Sequence, residues 1–292
     1  MNEYLYCFLL SLAYLAFTRL VRLRPLLWLG LLSMIFSIER LLAHDSIFVR
    51  MVVLCAALML GMKGLVYREW GQPLSPARWF CFTFLWFGMD PSAFVKRRRN
   101  LRWKQHAVIG NLCMLGGLAL SVAVAQLANP PLLLMFVPLS MAFHFGVLRI
   151  LTAFWRMMGF PVRTLFRNPL VSRGVGDFWA KRWNLSFSQM IARTVQRPLQ
   201  NRIGKRGALF GVFVVSGLLH EIAITVPAQS GYGLPTLYFL LHGCAVLAEK
   251  PTWPLGLSRA LALLLVALPL PILFPSVFTQ EVITRCLSYL TL

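Results

Sequence analysis

The stretch GALFGVFVVSGLLHEIAITV, residues 207–226, carries only two titratable side chains, His220 and Glu221, in twenty residues. As a helix rising about 1.5 Å per residue it is about 30 Å long, the thickness of a bilayer's hydrocarbon core. Comparable apolar runs lie at 47–66, 107–127 and 131–152, with shorter ones at 4–18, 26–38, 79–89, 234–248 and 256–275. Composition points the same way. Hydrophobic residues make up 58% of the chain and charged residues 13%, against about 25% charged in soluble domains. The expected fold is an all-α, polytopic transmembrane helix bundle of about eight spans, with a re-entrant segment and interfacial helices. It reads as a single domain over 1–292, with N-terminal spans in 1–66, a core over 70–250 and an interfacial segment over 154–206. The runs at 4–18 and 26–38 are short, and read as tilted spans or shallow hairpins. Pro130-Pro131 marks a tight turn outside the membrane. The N-terminus lacks the basic region of a signal peptide, so the first run is kept as structure.

A net charge of +20 invites a nucleic-acid partner, but its arrangement argues against one. The basic residues fall in short blocks between apolar runs, and no polar domain presents them. Blocks of that kind are what the positive-inside rule predicts. With the N-terminus outside, and Trp79–Met89 entering and leaving on one side, 26 of the 29 basic residues lie inside, Lys63 among them. Only Arg40, Arg50 and Arg285 fall outside. The protein is expected to be a multi-pass integral membrane protein surrounded by lipid, in a bacterial cytoplasmic membrane or, in a eukaryote, the endoplasmic reticulum. Its six scattered cysteines form no CxxC pair and read as small core hydrophobes.

Two kinds of segment can carry chemistry. The stretch from Phe154 to Arg206 mixes Phe and Trp with Arg and Lys, as helices in the headgroup layer do. Within the spans lie His144, His220 and His242, and an ionisable group there usually faces a cavity or a partner. His220 is the sharpest of the three: Ser216 sits four residues earlier on the same face, and Gly217 allows a close approach. His144 and His242 read more readily as packing residues, and His44 and His106 as solvated residues at loop edges. Glu221 either pairs with a cation or hydroxyl near the site or sits at its far mouth. His220-Glu221 begins a zincin-like motif, but Ile224 stands where the second histidine is needed, so no metal site is expected. Nucleophile-elbow and P-loop patterns are missing too.

The run Asp177-Phe178-Trp179-Ala180-Lys181-Arg182-Trp183-Asn184, followed by Ser216-Gly217-Leu218-Leu219-His220-Glu221, resembles the wax synthase branch of the membrane-bound O-acyltransferase superfamily. The motifs stand in the family's order, with 36 residues from Asn184 to His220. Leu74-Ser75-Pro76, Arg78-Trp79 and Gly88-Met89 with Pro91 also look like that branch. The resemblance covers about residues 70–250. It implies an acyl-CoA-dependent O-acyltransferase that moves a fatty acyl group to a long-chain alcohol, giving a wax ester. Acyl-CoA is then a co-substrate, and no bound cofactor is implied.

By the same resemblance His220 is the catalytic base and Asn184 the second catalytic residue. A base within reach of the hydroxyl and an amide donor at the thioester oxygen suit that chemistry. Arg173, Lys181 and Arg182, with Arg193 or Arg197, are basic residues placed to meet coenzyme A phosphates. Trp179 and Trp183 share a helix face at the interface, and Asp177 caps that helix or orients an arginine. Ser216, Glu221 and His242 complete the expected substrate-binding set. Sterol or diacylglycerol acceptors stay open within the enzyme class. A proton-coupled transporter with a histidine relay is the reading from another class, although the inverted repeats common in transporters are not visible. The oligomeric state is not readable from the sequence.

Overall fold

The computed structural model describes residues 2–127, 132–250 and 252–290, with no strand among them. The turn expected at Pro130-Pro131 lies outside the described residues. In chain order the helices are α1 (Glu3–Leu20), α2 (Arg24–Leu41), α3 (Ile47–Trp70), α4 (Pro76–Phe84), α5 (Lys104–Ala125) and α6 (Leu132–Met157). They continue with α7 (Val175–Lys181), α8 (Leu185–Ala228), α9 (Leu234–Ala248), α10 (Leu255–Leu273) and α11 (Ser276–Leu290).

Five of these, α3, α5, α6, α8 and α10, are long and apolar enough to cross a membrane. The remaining runs expected to span form α1, α2 and α9. The first two have 18 residues each and carry charges at their ends. The third has 15, short of the ~20 that a span needs. Helix boundaries follow local chemistry. Ser46 caps α3 by accepting from Val49 N–H, and Gly71 ends it at φ 73°, the left-handed conformation that glycine adopts without strain. Helix α8 bends at Gly204, where φ is 72°.

Small residues let helices close on one another. Methyl groups added at Gly117 or Gly146 would run into the backbones of Ala142 and Met114 respectively, so α5 and α6 meet almost backbone to backbone. The opposite side of α5 exposes Leu112 and Leu115, as a lipid-facing surface does.

The segment expected to be re-entrant is a short helix, α4, followed by irregular chain from Leu85 to Asp90 and a single 3-10 turn at Pro91–Phe94. Phe82, Trp86, Met89 and Phe94 are buried, so the backbone groups of this stretch need partners from the protein. Side chains from three other elements supply them. Lys63 donates to the carbonyls of Phe82 at 2.7 Å and Gly88 at 2.6 Å. The indole N–H of Trp155 donates to Leu85 O at 3.1 Å, and the Ser186 hydroxyl to Phe87 O at 2.5 Å. Lys63 therefore departs from the topology expected of it. Instead of a solvated residue at a cytosolic helix end, it is 1% exposed inside α3, with its ammonium over the Phe82 ring.

His106 departs as well. Rather than a solvated loop residue, it lies in the first turn of α5, where its Nε2 accepts a hydrogen bond from Arg156 at 2.7 Å.

Candidate active site

The aromatic and basic stretch before α8 folds around one carboxylate. Asp177, in α7, accepts from Arg182 Nε at 2.6 Å and from the Arg173 backbone N–H at 3.1 Å, and it lies 3.7 Å from Lys181 Nζ. Of the two roles expected of it, it takes the second, orienting an arginine; its other bond reaches back to Arg173, before the Gly174 cap position, and no side chain of α7 caps it there. Burial works against its ionisation. The bonds from Arg182 and Arg173 N–H and the charges of Arg182 and Lys181 outweigh that, holding the carboxyl below the ordinary aspartate value. A depressed carboxylate contributes stability above its unfolded pKa of about 3.9 and loses it as pH falls through the folded value. Asp177→Asn is accordingly expected to melt at a lower temperature than wild type at pH 7. The gap should narrow below about pH 4; thermal unfolding followed against pH measures it, and a gap that widens in acid contradicts the assignment.

Arg182 is committed to Asp177 and to Asn168 O at 3.2 Å. The side chains of Arg173 and Lys181 lie exposed at the surface. The N-terminus of α7 is closed by Glu249, whose carboxylate accepts from Val175 N–H and Gly176 N–H, each at 3.1 Å. A carboxylate at that end is favoured by the helix dipole as well.

Asn184 opens α8 from the left-handed region, φ 43°, and its Oδ1 accepts from Phe187 N–H at 3.1 Å. Asparagine tolerates that conformation and is a strong N-cap. The cap occupies the side-chain oxygen; the Nδ2 amide makes no bond among the described residues. Three residues on, Phe187 meets the His220 ring at 6.0 Å.

His220 ends the α-helical part of α8, where a π-helical turn, Glu221–Thr225, begins. Such turns recur at functional sites. Its Nδ1 lies 2.7 Å from the Ser216 carbonyl. A carbonyl can only accept, so Nδ1 carries the proton and Nε2 presents a lone pair. The residue is half-buried, and Nε2 is not among the sealed polar atoms. The arrangement is that of a neutral imidazole held in one tautomer with its basic nitrogen available. The Ser216 hydroxyl turns away to Val212 O at 2.7 Å, so it is this residue's carbonyl that touches the histidine.

Glu221 is fully engaged. It accepts from Thr236 N–H at 2.9 Å, from the Thr236 hydroxyl at 2.8 Å and from the Thr225 hydroxyl. It therefore fastens α8 to the first turn of α9, while Glu249 fastens the other end of α9 to α7.

Between those two fastenings α9 places Phe239 and His242. Phe239 packs on His220 at 4.2 Å and on Trp179 at 5.3 Å, which joins the basic shelf to the histidine by direct contact. His242 is 1% exposed; its Nδ1 pairs with Tyr238 O at 2.8 Å, and its ring stands edge-on to Trp179 at 5.3 Å. Trp183 stacks on Phe178 at 5.6 Å on the other side of α7, together with Phe166 and His144. The structure thus gathers Trp179, His220 and His242 around Phe239, with Phe187 bridging toward Asn184. Trp183, Arg173 and Lys181 are left outside that group. A shallow cleft between the irregular stretch around Trp86–Ala93 and residues 161–165 includes Leu185, next to Asn184, but not His220.

Phe187, Phe239 and Glu249 were not singled out in the sequence. Glu249 had a signal, because the chain holds only nine acidic residues and each one in an apolar context needs a partner.

Residues 162–241 match the model of the Membrane bound O-acyl transferase family. The match covers under a third of the chain. Within the matched segment lie Asp177, Asn184, His220, Glu221 and Phe239, while His242 falls one residue beyond it. The chain is 36% identical over 103 residues to "Probable long-chain-alcohol O-fatty-acyltransferase 1" of Arabidopsis thaliana, covering 32% of this chain and 30% of that protein. It is 28% identical over 102 residues to "Long-chain-alcohol O-fatty-acyltransferase" of Simmondsia chinensis, covering 32% and 29%. A longer alignment, 25% identical over 231 residues, relates it to "Putative long-chain-alcohol O-fatty-acyltransferase 10" of Arabidopsis thaliana, covering 72% of this chain and 68% of that protein. The alignments to the first two span about a third of each relative.

Proposed function

We propose that this chain, as one membrane domain over residues 1–292, transfers a fatty acyl group from acyl-CoA to a long-chain alcohol, forming a wax ester. The observation that carries the reading is His220, whose Nδ1–H is held by Ser216 O at 2.7 Å so that Nε2 is left as a base. It sits in a family segment whose relatives bear the name of this reaction. In the proposed step Nε2 takes the alcohol proton while the alkoxide oxygen attacks the thioester carbonyl. The Asn184 amide donates to the oxygen on which charge collects. The tetrahedral species collapses, the C–S bond breaks, and His220 returns the proton to the coenzyme A sulfur. Lys181 and Arg173, exposed beside Asp177, meet the phosphates of coenzyme A. A base among apolar helices suits an alcohol that arrives through lipid, and exclusion of water protects the thioester from hydrolysis.

The test supplies the purified protein in nanodiscs with labelled palmitoyl-CoA and, separately, hexadecanol, a sterol or diacylglycerol. Hexadecyl palmitate is the expected main product. Ester formed only with the sterol or diacylglycerol overturns the acceptor, and no ester with any of them overturns the reaction. In the same assay Asn184→Asp keeps a capping oxygen but loses the amide donor, and is expected to fold normally with turnover at least tenfold lower. Unchanged turnover confines Asn184 to capping.

A further inference from the structure

A second cluster of unpaired polar groups lies at the other end of the α5–α6 hairpin. The close approach allowed by Gly110, Gly117 and Gly146 sets the start of α5 against the end of α6. There Arg156 donates to Nε2 of His106 at 2.7 Å. The ring proton must then sit on Nδ1, and that N–H is buried with no acceptor among the described residues. The Nε–H groups of Arg149 and Arg156 are sealed in the same way, again without an acceptor. Arg149 stands seven residues before Arg156 on the same face of α6, about 10 Å along the helix axis. Ion pairs among the described residues join Arg24 to Glu69, Arg50 to Glu39, and Asp177 to Lys181 and Arg182. Neither Arg149 nor Arg156 has one.

Two arginines on one face of α6 and a donor imidazole on α5, bonded to the second of them, therefore lack a counter-charge among the described residues. An arginine placed only by topology extends its head into water and keeps its Nε–H solvated. Here the Nε atoms are buried while both residues remain half-exposed, so neither side chain is simply extended into water. Close by, the basic run 96–104 is tied to the end of α6 through Arg98 N–H to Gly159 O at 2.8 Å. A planar fork of donors matches a phosphate better than a halide or a single carboxylate oxygen.

We propose that His106, Arg149 and Arg156 form a site for a phosphate oxyanion, carried either by an anionic phospholipid headgroup or by coenzyme A. All three residues lie outside the segment 162–241 that carries the family match, and the proposal does not need the acyl-transfer reading.

The full-length protein in neutral phosphatidylcholine nanodiscs tests it by binding, without an activity assay. One arm adds phosphatidylglycerol and follows the melting temperature. The other compares the affinities of coenzyme A and 3′-dephospho-coenzyme A. In R149Q/R156Q, one of these responses is expected to weaken at least tenfold. Loss of the phosphatidylglycerol response assigns a headgroup, and loss of the preference for the 3′-phosphate assigns coenzyme A. His220→Ala is expected to leave both intact, which separates this site from the proposed catalytic one. A wild type that shows neither response, or a double variant that keeps both, overturns the site. Should the double variant fail to fold, R149K and R156K decide. They keep the charge but lose the fork, and affinities equal to wild type overturn the proposal.

Discussion

His220→Ala is expected to lower ester formation by about 10²–10⁴-fold, the range that a positioned general base contributes, while the protein still inserts and elutes as a folded species. Two observations set those expectations apart. The ring makes one hydrogen bond, to the Ser216 carbonyl, and that carbonyl already accepts within α8, so its loss strands no buried acceptor. The packing lost is the contact with Phe239 at 4.2 Å and with Phe187 at 6.0 Å. Truncating a partly buried ring of this kind costs about 1–3 kcal/mol, within the ordinary range for single substitutions. A catalytic loss well beyond any structural loss is thus the signature of a base. Turnover with labelled palmitoyl-CoA and hexadecanol, together with a thermal melt of the same preparation, separates the two. Near wild-type turnover in a folded His220→Ala protein removes the base assignment.

The parts of this arrangement that were readable beforehand are those set by local sequence. Long apolar runs gave α3, α5, α6 and α8, because twenty unbroken apolar residues have few other solutions in lipid. The short apolar run at 79–89, flanked by Arg78 and Lys96, reads as too short to cross, and it forms a short helix followed by irregular chain. Ser216 is legible one turn before His220 on the same face, but that its carbonyl sets the tautomer, and that Asn184 caps α8, appear only in the structure. What stayed hidden depends on partners distant in the chain. Lys63 looked like a helix-end cation until the Phe82 and Gly88 carbonyls, 19 and 25 residues away, closed over it. His106 looked solvated because Arg156, its partner, lies 50 residues on. Glu221 reads as a partner for a hydroxyl, but that the hydroxyl is Thr236, and that Glu249 closes the start of α7, depends on where α9 lies. Periodicity reports which face of a helix is apolar; it is silent on which backbone carbonyls another segment leaves unpaired.

Lys63→Met is the substitution expected to cost most stability. Met has nearly the length and shape of the lysine stem, so the change removes the ammonium and leaves little void. Two buried carbonyls, Phe82 O and Gly88 O, then lose their donor. Leaving a buried acceptor unpaired costs about 1–3 kcal/mol, so the expected loss for the two is about 2–5 kcal/mol. The surface ion pair of Arg24 with Glu69, in which Arg24 is 54% exposed, is the natural comparison. Arg24→Gln is expected to cost less than about 1 kcal/mol. The consequence reaches the candidate site through one bond. The irregular stretch held by Lys63 also accepts from Ser186 at Phe87 O, and Ser186 lies two residues after Asn184. Loosening the stretch therefore frees the first turn of α8. Lys63→Met should melt earlier, expose residues 85–90 to protease and lose turnover in parallel. A melt indistinguishable from wild type would mean that the Phe82 and Gly88 carbonyls find other donors, and that the Lys63 amine does not hold the stretch 82–90 in place.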